Sequence, residues 1–141
     1  MHNDPRSLIV AVNKAAGRKL SLRRFNDRLI IQKGCYILNT WGCGPEYEYT
    51  QFFRGPFSID LDDDLKEVVA YGDTTDVSDS DVSRLSEIVS KGSKYVEAYS
   101  TLLLIKVSNP DVTDDVIMRQ ALSIKPELRK EIMEASSHVL V

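Results

Sequence analysis

The segment from Leu22 to Trp41 constrains the fold more than any other. On a wheel of 3.6 residues per turn, Phe25, Leu29 and Tyr36 share one face, Ile30, Ile37 and Trp41 a second, and Ile31 and Leu38 a third. The C-terminal half is therefore apolar nearly all round, which predicts a central helix enclosed by other elements. Arg24 and Arg28 occupy a remaining strip. Two residues interrupt the apolar pattern. Lys33 falls between Leu29 and Ile37, where an ammonium must reach out to water or be paired. Gln32 borders Phe25 and Tyr36, and side chains so placed usually satisfy a buried backbone carbonyl or carboxylate, with a ligand site as the alternative.

A helix of this kind needs a surround, and the flanking sequence supplies one. Asp4-Pro5 reads as an N-cap followed by proline at the first helical position, with Leu8, Ile9 and Val12 inward and Gly17 as the stop. Ser21 offers a cap for the central helix, and Gly42-Cys43-Gly44-Pro45 ends it. From Tyr47 to Phe53 the loose alternation and aromatic content predict a strand. Gly55-Pro56 is then expected to turn the chain abruptly, and Ser58 to cap a helix beginning at Ile59, with Asp60 and Asp62 in its favoured first turn. Leu61, Leu65 and Val68 form its inward stripe, and Gly72 is its expected end.

Beyond the polar loop of residues 73–81 come four more helices. Val82, Leu85 and Val89 point inward on one that Gly92 breaks; the next runs from about Ser93 to Val107; Thr113 caps a third; Pro126 opens the last. The predicted architecture is mainly α with a small β element, an α+β single domain over residues 1–141, with a winged-helix variant in which the strand belongs to the wing. That strand has no evident partner in the chain, so a second copy, and hence a homodimer, is one way to complete it.

A chain of 141 residues, 43% hydrophobic and 28% charged, is long enough for one core without staples. It has no apolar run of membrane-spanning length, and its Met-His-Asn-Asp start lacks the features of a secretory signal, so no membrane association and a cytoplasmic location are expected. Cys35 and Cys43, neither a Cys-x-x-Cys pair nor a disulfide framework, agree with a reducing compartment.

The residues of catalysis are thinly represented. His2 and His138 stand at opposite ends, with no zinc or nucleophile-elbow spacing around them. Gly42, Gly44 and Gly55 do not make a phosphate-cradling loop, and Asp62-Asp63-Asp64 lacks the glycine and terminal glutamate of a calcium loop. A metal-dependent hydrolase built on those aspartates is the weakest of three function classes. A non-enzyme without cofactor is expected.

Charge gives the main functional lead. Residues 1–44 carry +6, residues 45–90 carry −9, and the remainder balances. Arg18, Lys19, Arg23, Arg24, Arg28 and Lys33 are the candidates for neutralising the phosphates of DNA or RNA. The bland alternative is that they are solvated or pair with the acidic middle of the same chain. Tyr47, Tyr49, Phe52 and Phe53 resemble a base-stacking platform, but Glu46 and Glu48 beside them would repel phosphate and favour a core role.

Arg28-Leu29-x-x-Gln32-Lys33-x-x-Tyr36-Ile37-Leu38, the Tyr-rich strand, and Gly55-Pro56-Phe57-Ser58-x-x-Leu61-x-x-Asp64-Leu65 together resemble the YwgA-like group, related to the Panacea-type antitoxin domain. The resemblance covers roughly residues 22–105, including Glu97-Ala98-Tyr99-Ser100-Thr101-Leu102-Leu103. It implies a small, mostly helical regulatory or antitoxin-like protein that binds rather than catalyses. Gln32, Lys33, Tyr36, Gly55, Pro56, Phe57, Ser58 and Asp64 are then motif residues with a structural or partner-binding role. Phe57 stands where that group usually has tyrosine, and Gly34 where it usually has an apolar residue. Two readings follow. The first is a nucleic-acid-associated or regulatory protein presenting a basic face to phosphate. The second is a protein-interaction module, antitoxin-like or a replication or repair accessory, that uses its acidic region and aromatics.

Overall fold

The computed structural model describes residues 3–52 and 54–140. In chain order the elements are α1 (Arg6–Ala16), α2 (Phe25–Thr40), β1 (Thr50–Phe52), β2 (Gly55–Phe57), α3 (Ile59–Glu67), α4 (Asp79–Val89), α5 (Ser93–Ser108), α6 (Asp114–Ile124), a 3-10 turn (Pro126–Leu128) and α7 (Arg129–Val139). The domain is mainly α with one small sheet, as the hydrophobic periodicity predicts.

Helices α2 and α5 form its centre. Every residue of α2 from Leu29 to Leu38 is buried, Gln32 and Lys33 included, which is what an all-round apolar pattern demands. Helix α5 packs against α7, α2, α6, α4 and β2, while α1 covers α2 and α4. Helix α1 meets α2 tightly at Gly34, where a Cβ would lie 3.0 Å from Val12 Cγ2. An apolar side chain there would push the helices apart, which accounts for the glycine. Cys35 beside it is fully enclosed, and burial pushes its thiol up to about 12.

Helix termini follow their local chemistry. Ser58 Oγ accepts from Leu61 N–H at 3.2 Å, Ser78 Oγ accepts from Asp81 N–H at 3.2 Å, and Gly17 closes α1. Three boundaries differ from expectation. Pro5 takes the N-cap place, with Asp4 accepting the Arg6 N–H instead. Helix α2 begins at Phe25, because the turn before it is held by Asp27 and Ser21. Helix α3 stops at Glu67, where Val68 is extended, well short of Gly72.

The strand is shorter than predicted and finds its partner at once. β1 pairs antiparallel with β2, Thr50 opposite Phe57, Gln51 opposite Pro56 and Phe52 opposite Gly55. Gly55-Pro56 thus belongs to a strand, and no second copy is needed to complete the ladder. Gly55 and Pro56 are buried and β2 is seated against α2 and α5, whereas a wing projects from its helices. Phe53 and His2 lie outside the described residues. Among those described, no helix is long and apolar enough to cross a membrane.

Candidate functional site

The junction between β2 and α3 is clamped by Gln32. Its Oε1 accepts from Ser58 N–H and its Nε2 donates to Ser58 O, both at 3.0 Å. A side-chain amide thereby stands in for a neighbouring strand. Gly55 has φ +96°, and a Cβ on it would sit 3.1 Å from Thr101 Oγ1 and 3.4 Å from both Lys33 Cε and Ser100 Oγ. Glycine is required twice over, by its backbone and by the space. Asp64, buried under α3, accepts from Tyr47 O–H at 2.7 Å and from Asn3 N–H at 2.8 Å. The Tyr36 ring meets Tyr49 edge-on at 4.8 Å; its hydroxyl is buried with no hydrogen-bond partner among the described residues, and burial pushes it up to about 12. Most of the motif residues therefore assemble around this one junction.

Three ionisable side chains are buried close by. Glu97 on α5 is 3% exposed and lies 3.5 Å from Lys125 Nζ through one carboxylate oxygen and 3.9 Å from an Arg54 nitrogen through the other. Burial raises the Glu97 carboxyl, and Lys125, Arg54 and Lys33 pull it back. Lys33, also 3% exposed, is lowered to about 8, first by burial and further by Lys125, against the attraction of Glu97. Its ammonium lies 5.9 Å from the centre of the Phe57 ring. Three cations surround one carboxylate. Lys33 was legible as an anomaly in its helix, whereas Lys125 carried no sequence signal beyond preceding Pro126. The signal for Glu97 was a lone acid within the apolar run Tyr95, Val96, Ala98, Tyr99.

Lys33 also reaches a cavity of about 500 Å³ between α2 and α3. Leu22, Leu29 and Leu65 supply apolar wall, and the rings of Phe25 and Phe57 add two aromatic surfaces. Arg28, Arg54 and Lys66 join Lys33 in the lining, with Asp62 as the single acid, 2.8 Å from Lys66. Phe25 was expected to face the core beside Leu29. Instead it is 51% exposed at the first position of α2, with the Arg28 and Arg54 guanidiniums 5.8 and 5.3 Å from its ring centre.

The predicted basic face is only partly assembled. Arg18 donates twice to Asp27, at 2.7 and 3.1 Å, which holds that carboxyl below its ordinary value. Its charge is spent internally. Lys33 points into the interior and cannot meet a polymer's phosphates, because the apolar neighbours that flank it enclose it. Lys19, Arg23, Arg24 and Arg28 remain exposed, without an ion pair among the described residues. Arg54, from a distant part of the chain, adds to them across Phe25.

The two tyrosines ahead of β1 turn inward. Tyr47 is buried and Tyr49 half-buried, its hydroxyl donating to Asn39 Oδ1 at 3.1 Å. Among the described residues no group of three His, Cys, Asp or Glu side chains is placed to hold a metal ion. In comparisons with known proteins, no family model, curated protein or solved structure matches the chain.

Proposed function

We propose that this is a non-enzymatic, nucleic-acid-associated protein that docks phosphates on the surface formed by Lys19, Arg23, Arg24 and Arg28. One observation carries the reading: these four cations face solvent unpaired, while acids of the neighbouring stretch are engaged elsewhere, Asp62 with Lys66, Asp64 with Tyr47 and Asp81 with the Cys43 thiol. Unpaired surface cations release counterions from a polyanion most effectively. The exposed Phe25 ring between two guanidiniums offers a stacking face, which favours single strands over duplex.

The test is a titration of a labelled single-stranded oligonucleotide across salt concentrations. Four phosphate contacts give a slope of log K against log salt of about −3. Changing Arg23, Arg24 and Arg28 together to Ala is expected to weaken binding at least about tenfold and flatten the slope by about 2. Affinity that ignores salt, or survives the triple change, overturns the reading. The protein-docking alternative keeps its acidic region but loses Tyr47 and Tyr49, which pack inward. A nuclease-insensitive, stoichiometric protein partner would restore it.

A further inference from the structure

We infer that the cavity between α2 and α3 is a binding site for a small organic anion, with its carboxylate or phosphate set against Lys33 and Arg54 and its apolar body held between Phe25 and Phe57. The inference does not rest on the nucleic-acid reading: it turns on Lys33, which lies too deep to touch a polymer backbone, although Phe25, Arg28 and Arg54 border both surfaces.

An ammonium has three donors, and buried polar groups in folded proteins are nearly always satisfied. Lys33 is 3% exposed, yet among the described residues it has neither a hydrogen bond nor an ion pair; its neighbours are the Phe57 ring and, at longer range, Glu97. Glu97 attracts Lys33 but forms no ion pair with it among the described residues, its oxygens lying 3.5 Å from Lys125 and 3.9 Å from Arg54. Three cations share one buried carboxylate, and a further anion beside Lys33 would balance them.

The cavity shows where that anion would enter. With Asp62 paired to Lys66, the remaining charges of the lining are Arg28, Lys33 and Arg54, all positive. A low-dielectric wall strengthens their attraction for an oxyanion. Three leucines, Ile31, two rings and Gln32 make up the rest, and a volume of about 500 Å³ suits a small molecule with an apolar body. Next to the Lys33 stem, behind the cavity wall, Thr101 Oγ1 is buried without a hydrogen-bond partner among the described residues, and both abut the same point at Gly55. Inorganic phosphate alone would satisfy the charges and leave the apolar walls unfilled.

The experiment uses 1-anilinonaphthalene-8-sulfonate, an anionic aromatic fluorophore, with the intact chain. One saturable site per chain is expected, emptied by 4-phenylbutyrate or by phenyl phosphate, and the stronger of these two competitors identifies the oxyanion. The neutral 4-phenylbutan-1-ol and inorganic phosphate are expected to compete at least about tenfold less well. Lys33→Met should weaken the fluorophore at least about tenfold and leave oligonucleotide affinity within about twofold, and Arg54→Ala should weaken the fluorophore at least about tenfold. Arg54 is exposed, so its variant remains informative if Lys33→Met fails to fold. Absence of saturable binding, equal competition by the alcohol, or unchanged affinity in the folded variants would overturn the inference.

Discussion

At the scale of single residues, side-chain amides do the work of backbone. Asn39 donates to Cys43 O at 2.7 Å and to Pro45 O at 2.9 Å, and accepts from Tyr47 N–H and Tyr49 O–H, both at 3.1 Å. It shapes the whole connection between α2 and the aromatic segment. Gln32 does the same for Ser58, so Gln32→Leu leaves a buried N–H without a partner. A loss of ~2–3 kcal/mol is expected in urea unfolding, whereas a plain surface position would move by less than ~0.5. Gln32 stood out in the sequence because a polar residue interrupted an apolar face. Asn39 did not, since its partners come from a loop whose path no local pattern encodes.

At the scale of elements, helices were legible and the hairpin was not. Capping by Ser58 and Ser78, the stop at Gly17 and the start of α5 after Gly92 depend on atoms within a few residues, so their chemistry is written locally. The pairing of β1 with β2 depends on what covers Gly55 and Pro56 from α2 and α5, which is tertiary information. Proline tolerates this strand because the partner ladder does not require its missing N–H at every position. Gly55→Ala tests the seating: a Cβ would meet Thr101 Oγ1 and need a positive φ, so a loss of ~1–3 kcal/mol is expected by thermal or chemical unfolding. Unchanged stability would mean that the hairpin shifts freely on α5. The candidate site shows the same division. Lys33 and Phe57 were visible as motif residues, but the cavity that joins them to Arg54 and Phe25 exists only once the hairpin is in place.

At the scale of the molecule, the buried charges link α2, α5 and the segment between α6 and the last helix. Lys33, Glu97, Lys125 and the Arg54 guanidinium face one another there, and burial dominates the balance at Lys33, whose folded value is about 8. Below that pH both folded and unfolded chains hold the proton, and the folded state carries the full cost. From about 8 to the unfolded value of about 10.5 the unfolded chain binds more proton, so this group adds stability as pH rises. Relative to Lys33→Met, the wild-type chain is expected to gain ~2–3 kcal/mol between about pH 7 and pH 10. The comparison cancels Cys35 and the tyrosines, which pull the other way. A constant difference would mean that Lys33 titrates as an ordinary surface lysine. The charge segregation visible in the sequence thus divides into an outward cationic patch and an inward cluster, a division that depends on how the helices pack.

The enclosure of Cys35 has a practical corollary. Cys43 is half-buried and Cys35 is sealed at the contact of α1 with α2, so an alkylating reagent meets one sulfur while the helices stay together and two when they part. The second adduct is then a clock for separation of that helix pair, readable by mass alone.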